Sequence, residues 1–156
     1  MYLAVVALTL FVLPIGSTLV DHILHPDAAL VWLTGRWFVF WSVGVRLARA
    51  GARQTIQPAF TAREIFHMSG DEALPVVREL GVANLGAGVV GLLSFAAPSF
   101  VLPAALYAAI FYGAAGVGHV LQRDRSANET IAMASDLFVF VVLTIFVVAE
   151  VIGAAG

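Results

Sequence analysis

The sequence contains no cysteine, which excludes disulfides, thiolate metal sites and thiol catalysis. It contains no lysine either, so all 8 basic residues are arginines. Charged residues make up only 12% of the 156, against 61% hydrophobic, which excludes an ordinary soluble domain. That length leaves room for one transmembrane domain, residues 1–156, and no separate soluble one. No basic segment precedes the first apolar run, residues 2–13, and no small-residue cleavage site follows it. The run therefore reads as a retained helix, not a removed signal peptide.

What is present is apolar helix. The sequence predicts an all-α polytopic membrane bundle with five spans, near residues 2–20, 28–48, 74–97, 99–121 and 130–155. The alternative is four, with the first segment too short and broken to cross, since Pro14 and Gly16 predict a bend in it. Pro98 and Pro103 mark a tight hairpin between the third and fourth spans. Arg46, Arg49, Arg53 and Arg63 follow the second span, Arg78 begins the third, and Arg123 and Arg125 follow the fourth. The positive-inside rule then places the N-terminus in the cytoplasm and the C-terminus outside. The expected location is a bacterial inner membrane. Topology accounts for the arginines, and charge makes no case for nucleic acid. Between the second and third spans, Pro58 opens a predicted interfacial helix near residues 58–68, whose plainest role is a lid or anchor.

The last span carries Glu129, Asp136 and Glu150, spaced 7 and 14 residues, nearly on one helical stripe. Glu129 and Glu150 lie roughly 30 Å apart, about one hydrocarbon thickness, and Asp136 lies roughly 10 Å inside. Ser126 and Glu129 fit a capping box at the helix start. The sequon at Asn128 falls on the cytoplasmic side, where glycosylation is not expected. An acid at the depth of Asp136 is costly unless it faces a partner or water.

Glu79 on the third span and His119 on the fourth reach comparable depth in the cytoplasmic half. Together with Asp136 they form the candidate catalytic group, a histidine beside two acids being able to pass protons. Arg78, Asn84, Tyr112 and His67 are placed to orient a polar ligand. The same residues equally suit a hydrogen-bonded clasp that fixes helix register. Near the outer side, Arg36 and Glu150 are expected to form a structural ion pair, the alternative being an anion or headgroup site aided by Trp32, Trp37 and Trp41. His22 and His25 form an H-x-x-H, read as a solvated loop in preference to a metal or haem site. Glu64 and His67 are half of a di-iron motif without its second copy, so no metal is expected. Gly81, Asn84, Gly88 and Gly91 on the third span, and Ala109, Gly113 and Gly116 on the fourth, predict a close hairpin of these two.

The segments RELGVANLGAGVVGLLSF (78–95), FYGAAGVGHVL (111–121) and NETIAMASDLF (128–138) resemble an uncharacterised bacterial family of small polytopic membrane proteins. The resemblance covers about residues 55–150, and is loosely similar to DoxX-like proteins in architecture. It implies that Glu79, Asn84, His119, Glu129 and Asp136 occupy family motif positions, and it hints at quinone-linked partners. No motif names a cofactor. The expected function is a buried polar site in the cytoplasmic half that binds a small molecule, a quinone or a lipid head, or handles protons. The rival is a non-catalytic scaffold subunit of a larger membrane complex, with the first reading expecting a homo-oligomer. A channel is the weakest reading, because Leu143 interrupts the polar stripe of the last helix.

Overall fold

The computed structural model describes residues 2–65, 68, 70–122 and 125–155. Among them every regular element is helical. α1 (Tyr2–Ala7) runs through a π-helical turn (Leu8–Val12) into α2 (Leu13–Leu24). Pro14 has no N–H to continue an α-helical ladder, and the wider turn just before it absorbs that interruption. There the Leu13 N–H reaches back to the Leu8 carbonyl. The bend read from Pro14 and Gly16 is thus a change of helical winding.

α3 (Leu30–Phe38), a second π segment (Val39–Val45) and α4 (Arg46–Ile56) form another continuous run, since Phe38 and Val45 at the joints keep helical backbone angles. α5 (Pro58–Phe60) opens at its proline and continues into π turns at Thr61–Ile65. α6 (Ala73–Leu93) leads through a short 3₁₀ turn (Pro98–Phe100) to α7 (Val101–Leu121), and α8 (Ala127–Ala155) closes the chain.

Four helical stretches among the described residues are long and apolar enough to cross a membrane: Leu3–Leu24, Ala73–Leu93, Pro98–Leu121 and Ala127–Ala154. The broken first segment qualifies after all. The run over residues 30–56, expected as the second span, does not, because it carries Arg36, Arg46, Arg49 and Arg53. Large apolar side chains point outward along the qualifying helices, among them Ile23, Val82, Ile110, Ile145 and Ile152. An outward apolar surface of this extent fits a small polytopic membrane protein and would be a liability in water.

The core is built from the first helix, the second π segment, α7 and α8. Leu10, Val39, Val101, Ala105, Val139 and Leu143 are wholly buried in it. α7 packs mainly on α8: Cβ atoms at Gly113 and Gly116 would stand 2.8 and 2.6 Å from the Phe140 and Leu137 side chains. α6 packs mainly on α4 and the π segment before it. A Cβ at Gly88 would stand 2.3 Å from the Ala48 nitrogen, one at Gly91 2.4 Å from the Gly44 nitrogen, and one at Gly51 2.4 Å from the Leu85 nitrogen. The close hairpin expected between the third and fourth spans is therefore replaced by two pairs, α4 with α6 and α7 with α8. Each glycine face does bring backbones together, but against another partner.

Candidate functional site

α8 begins as the sequence predicts. The Ser126 N–H donates to Glu129 Oε2 at 2.7 Å, and the Glu129 N–H donates to Ser126 Oγ at 3.2 Å. Just before it, Arg125 closes α7 by donating to the carbonyls of His119, Val120 and Gln122 at 2.8–2.9 Å. These are the last-turn acceptors that a helix leaves without partners. With the end of α7 and the start of α8 both capped, α8 carries Asp136 two turns into the bundle, where it is only 5% exposed.

Asp136 faces a cation from another helix. Arg46 donates from Nη1 to Asp136 Oδ1 at 3.0 Å, and its guanidinium lies 5.2 Å from the centre of the Tyr112 ring. Tyr112, buried on α7, donates its hydroxyl proton to the Ser42 carbonyl. Ser42 belongs to the π segment just before Arg46, and Ser42 Oγ itself donates to the Phe38 carbonyl. π turns are rare and recur at functional sites. Here the Ser42 carbonyl, within such a turn, holds Tyr112, and the Tyr112 ring lies beneath the guanidinium. His119, half-buried about two turns along α7 from Tyr112, is close enough to Asp136 to interact with it electrostatically. Its Nδ1 stands 3.5 Å from Gln122 Oε1.

Of the residues expected at this site, Asp136, His119 and Tyr112 are brought together. Glu79 and Arg78 are exposed on α6, with no hydrogen bond or ion pair among the described residues. The cause is the pairing of α6 with α4, which turns Gly81, Asn84 and Gly88 inward and leaves the neighbouring Glu79 outside. Asn84 is buried between α6 and α4, where its Nδ2 donates to Gln54 Oε1 at 2.8 Å while its Oδ1 has no partner. His67 lies outside the described residues. Arg46 is the residue that sequence reasoning missed, having been counted among the arginines that mark the cytoplasmic side. A buried acid needs a cation beside it, and of Arg46, Arg49, Arg53 and Arg63 it is Arg46 that lies next in sequence to the apolar stretch before it.

A second polar cluster forms where α2 meets α3. Asp21 accepts from Trp37 Nε1 at 2.8 Å, has His25 Nδ1 at 2.8 Å, and lies 3.5 Å from Arg36 Nη1. Arg36 rests against the Trp37 and Phe95 rings at 5.5 and 5.6 Å. The ion pair expected between Arg36 and Glu150 is not formed; Asp21, on the helix adjacent to α3, takes the arginine first, and Glu150 makes no ion pair among the described residues. Trp41, one turn beyond Trp37, donates to Ser17 Oγ at 3.0 Å. No cluster of three or more metal-ligating side chains occurs among the described residues.

Comparison with curated proteins finds no match, and neither does comparison with solved structures. A family model does match, and it covers residues 4–154, so the first helix is included along with the segments that carry the resemblance. With a match over nearly all of its length, the chain belongs to the family of unknown function DUF6790.

Proposed function

We propose that this is a multi-pass protein of a bacterial inner membrane that crosses five times, with its N-terminus in the cytoplasm. The run over residues 30–56 would be the additional span. Its two deepest arginines each meet an aspartate from a neighbouring helix, Arg36 with Asp21 and Arg46 with Asp136. Charges neutralised inside a bundle do not meet lipid, so the polarity of that run is compatible with crossing. Arg49, Arg53, Arg63 and Arg125 then share the cytoplasmic side.

The function this supports best is recognition of the polar head of a small molecule, a quinone or a lipid at the Arg46–Asp136–Tyr112 cluster. His119 would pass protons between Asp136 and cytoplasmic water. The carrying observation is that Asp136, 5% exposed in an apolar helix, meets a cation from a different helix that rests over a buried aromatic ring. Buried pairs contribute little net stability compared with apolar replacements, so their presence in so small a bundle favours a task beyond cohesion. The test replaces both charges at once, Arg46→Met with Asp136→Leu, in protein extracted in mild detergent and examined by native mass spectrometry. The site reading expects a folded protein that has lost a co-purifying small molecule carried by the unsubstituted chain. An unsubstituted chain that carries no such molecule and binds no added quinone or phospholipid differently from the variant overturns it.

A second reading, a scaffold subunit of a larger complex, is favoured by Gly86 and Gly118, which face outward with nothing within 4 Å of a Cβ. Such open glycines on α6 and α7 suit close approach by a further helix. Stable co-purification of a heavier protein, lost in Gly86→Leu, would support that reading.

A further inference from the structure

α4 sorts its arginines by face. Arg46 points inward to Asp136, and Leu47 and Gly51 are buried against the bundle. Arg49 and Arg53 stand outward one turn apart, both exposed, and bound a shallow, open cleft of about 360 Å³ with Ala52, Ile56 and Gln57. Neither has a carboxylate partner among the described residues, in contrast to Arg36, Arg46 and Arg63. Arg53 is nonetheless held: its guanidinium lies 3.6 Å from the centre of the Phe60 ring, contributed by α5 after the turn at Gln57. That contact fixes one guanidinium in place, and the i,i+4 placement on α4 sets the pair about 6 Å apart at the level of the backbone, which suits a phosphodiester held from both sides.

We propose that this cleft binds the headgroup of an anionic phospholipid in the cytoplasmic leaflet. The proposal rests on the topology given above, not on the Arg46–Asp136 site. The neighbouring surface favours a lipid over a soluble phosphate. Ile56 is 77% exposed and Phe60 37%, and apolar side chains beside a basic pair suit a bilayer interface and not bulk water. Guanidinium groups recognise phosphate through paired, planar donors, and each basic residue near an anionic surface strengthens binding by about fivefold.

The experiment adds phosphatidylglycerol or phosphatidylcholine to the detergent-solubilised full chain and measures bound lipid by native mass spectrometry. The expected result is retention of phosphatidylglycerol over phosphatidylcholine, weakened by about 30-fold in the double variant Arg49→Gln, Arg53→Gln. Arg63→Gln removes one exposed positive charge at a position already paired with Asp71, and should leave binding nearly unchanged. Equal retention of the two lipids overturns the proposal, as does an equal loss in Arg63→Gln and in Arg53→Gln. Displacement of phosphatidylglycerol by millimolar inorganic phosphate would overturn the lipid assignment in favour of a soluble anion. The pair Arg46→Met with Asp136→Leu should retain the lipid, so failure at one site is distinguishable from failure at the other.

Discussion

Removing one charge from the Arg46–Asp136 pair leaves the other without its partner in a low-dielectric setting, a loss of about 3–5 kcal/mol when a pair is fully buried. Asp136 has a side chain 8% exposed and Arg46 one 17% exposed, so the lower end of that range applies. Arg46→Met or Asp136→Leu alone should therefore lower thermal stability in detergent more than the two together. Additive losses in the double variant would mean that the charges do not act as a pair. Tyr112→Phe removes the donor to the Ser42 carbonyl and should cost about 1 kcal/mol, with the ring contact to Arg46 retained. The burial of Asp136 was legible in the sequence because an acid two turns inside an apolar helix needs a partner or water. Its partner was not, because arginine at a membrane boundary has an adequate explanation in topology. Glu79 was misplaced for a related reason: depth along a helix is legible, but rotation about its axis is fixed only by the neighbour it packs against.

At the scale of elements, the glycines report close packing without naming the partner. Gly88 and Gly86 are two residues apart on α6, and they separate the two cases cleanly. A side chain at Gly88 meets the Ala48 backbone, which cannot rotate away, and Gly88→Val should cost about 1–3 kcal/mol or more. Gly86 has nothing within 4 Å, so Gly86→Ala should be neutral or stabilising by up to about 1 kcal/mol through helix propensity alone. Thermal unfolding of the two variants checks both signs, and a mild Gly88→Val would show that α6 does not lie against α4. A sequence displays small residues at helical spacing but gives them no chemical label, so the wrong pair of helices was matched. Polar ends were more readable: the Ser126–Glu129 capping box depends on local geometry only, and it forms as the spacing predicts.

For the whole molecule, the number of crossings turns on residues 30–56, a long helical run too polar to qualify as a span by composition among the described residues. At about 1.5 Å per residue it is roughly 40 Å long, more than enough to cross a hydrocarbon core of about 30 Å. Arg36 and Arg46 stand within it, and each is met by an aspartate on a helix that does qualify, α2 or α8. An apolar-window criterion sees the arginines and not their partners, which explains why the run fails that criterion while remaining packed within the bundle. The absence of cysteine makes the matter directly measurable, because each introduced thiol is the only one in the chain. Asp27→Cys and Gln57→Cys, at exposed positions flanking the run, should react with a membrane-impermeant maleimide from opposite sides of sealed vesicles. Gly153→Cys, exposed near the end of α8, should react from the same side as Asp27→Cys. Labelling of positions 27 and 57 from one side would remove the crossing, and with it the placement of Arg49 and Arg53 opposite the outer cluster.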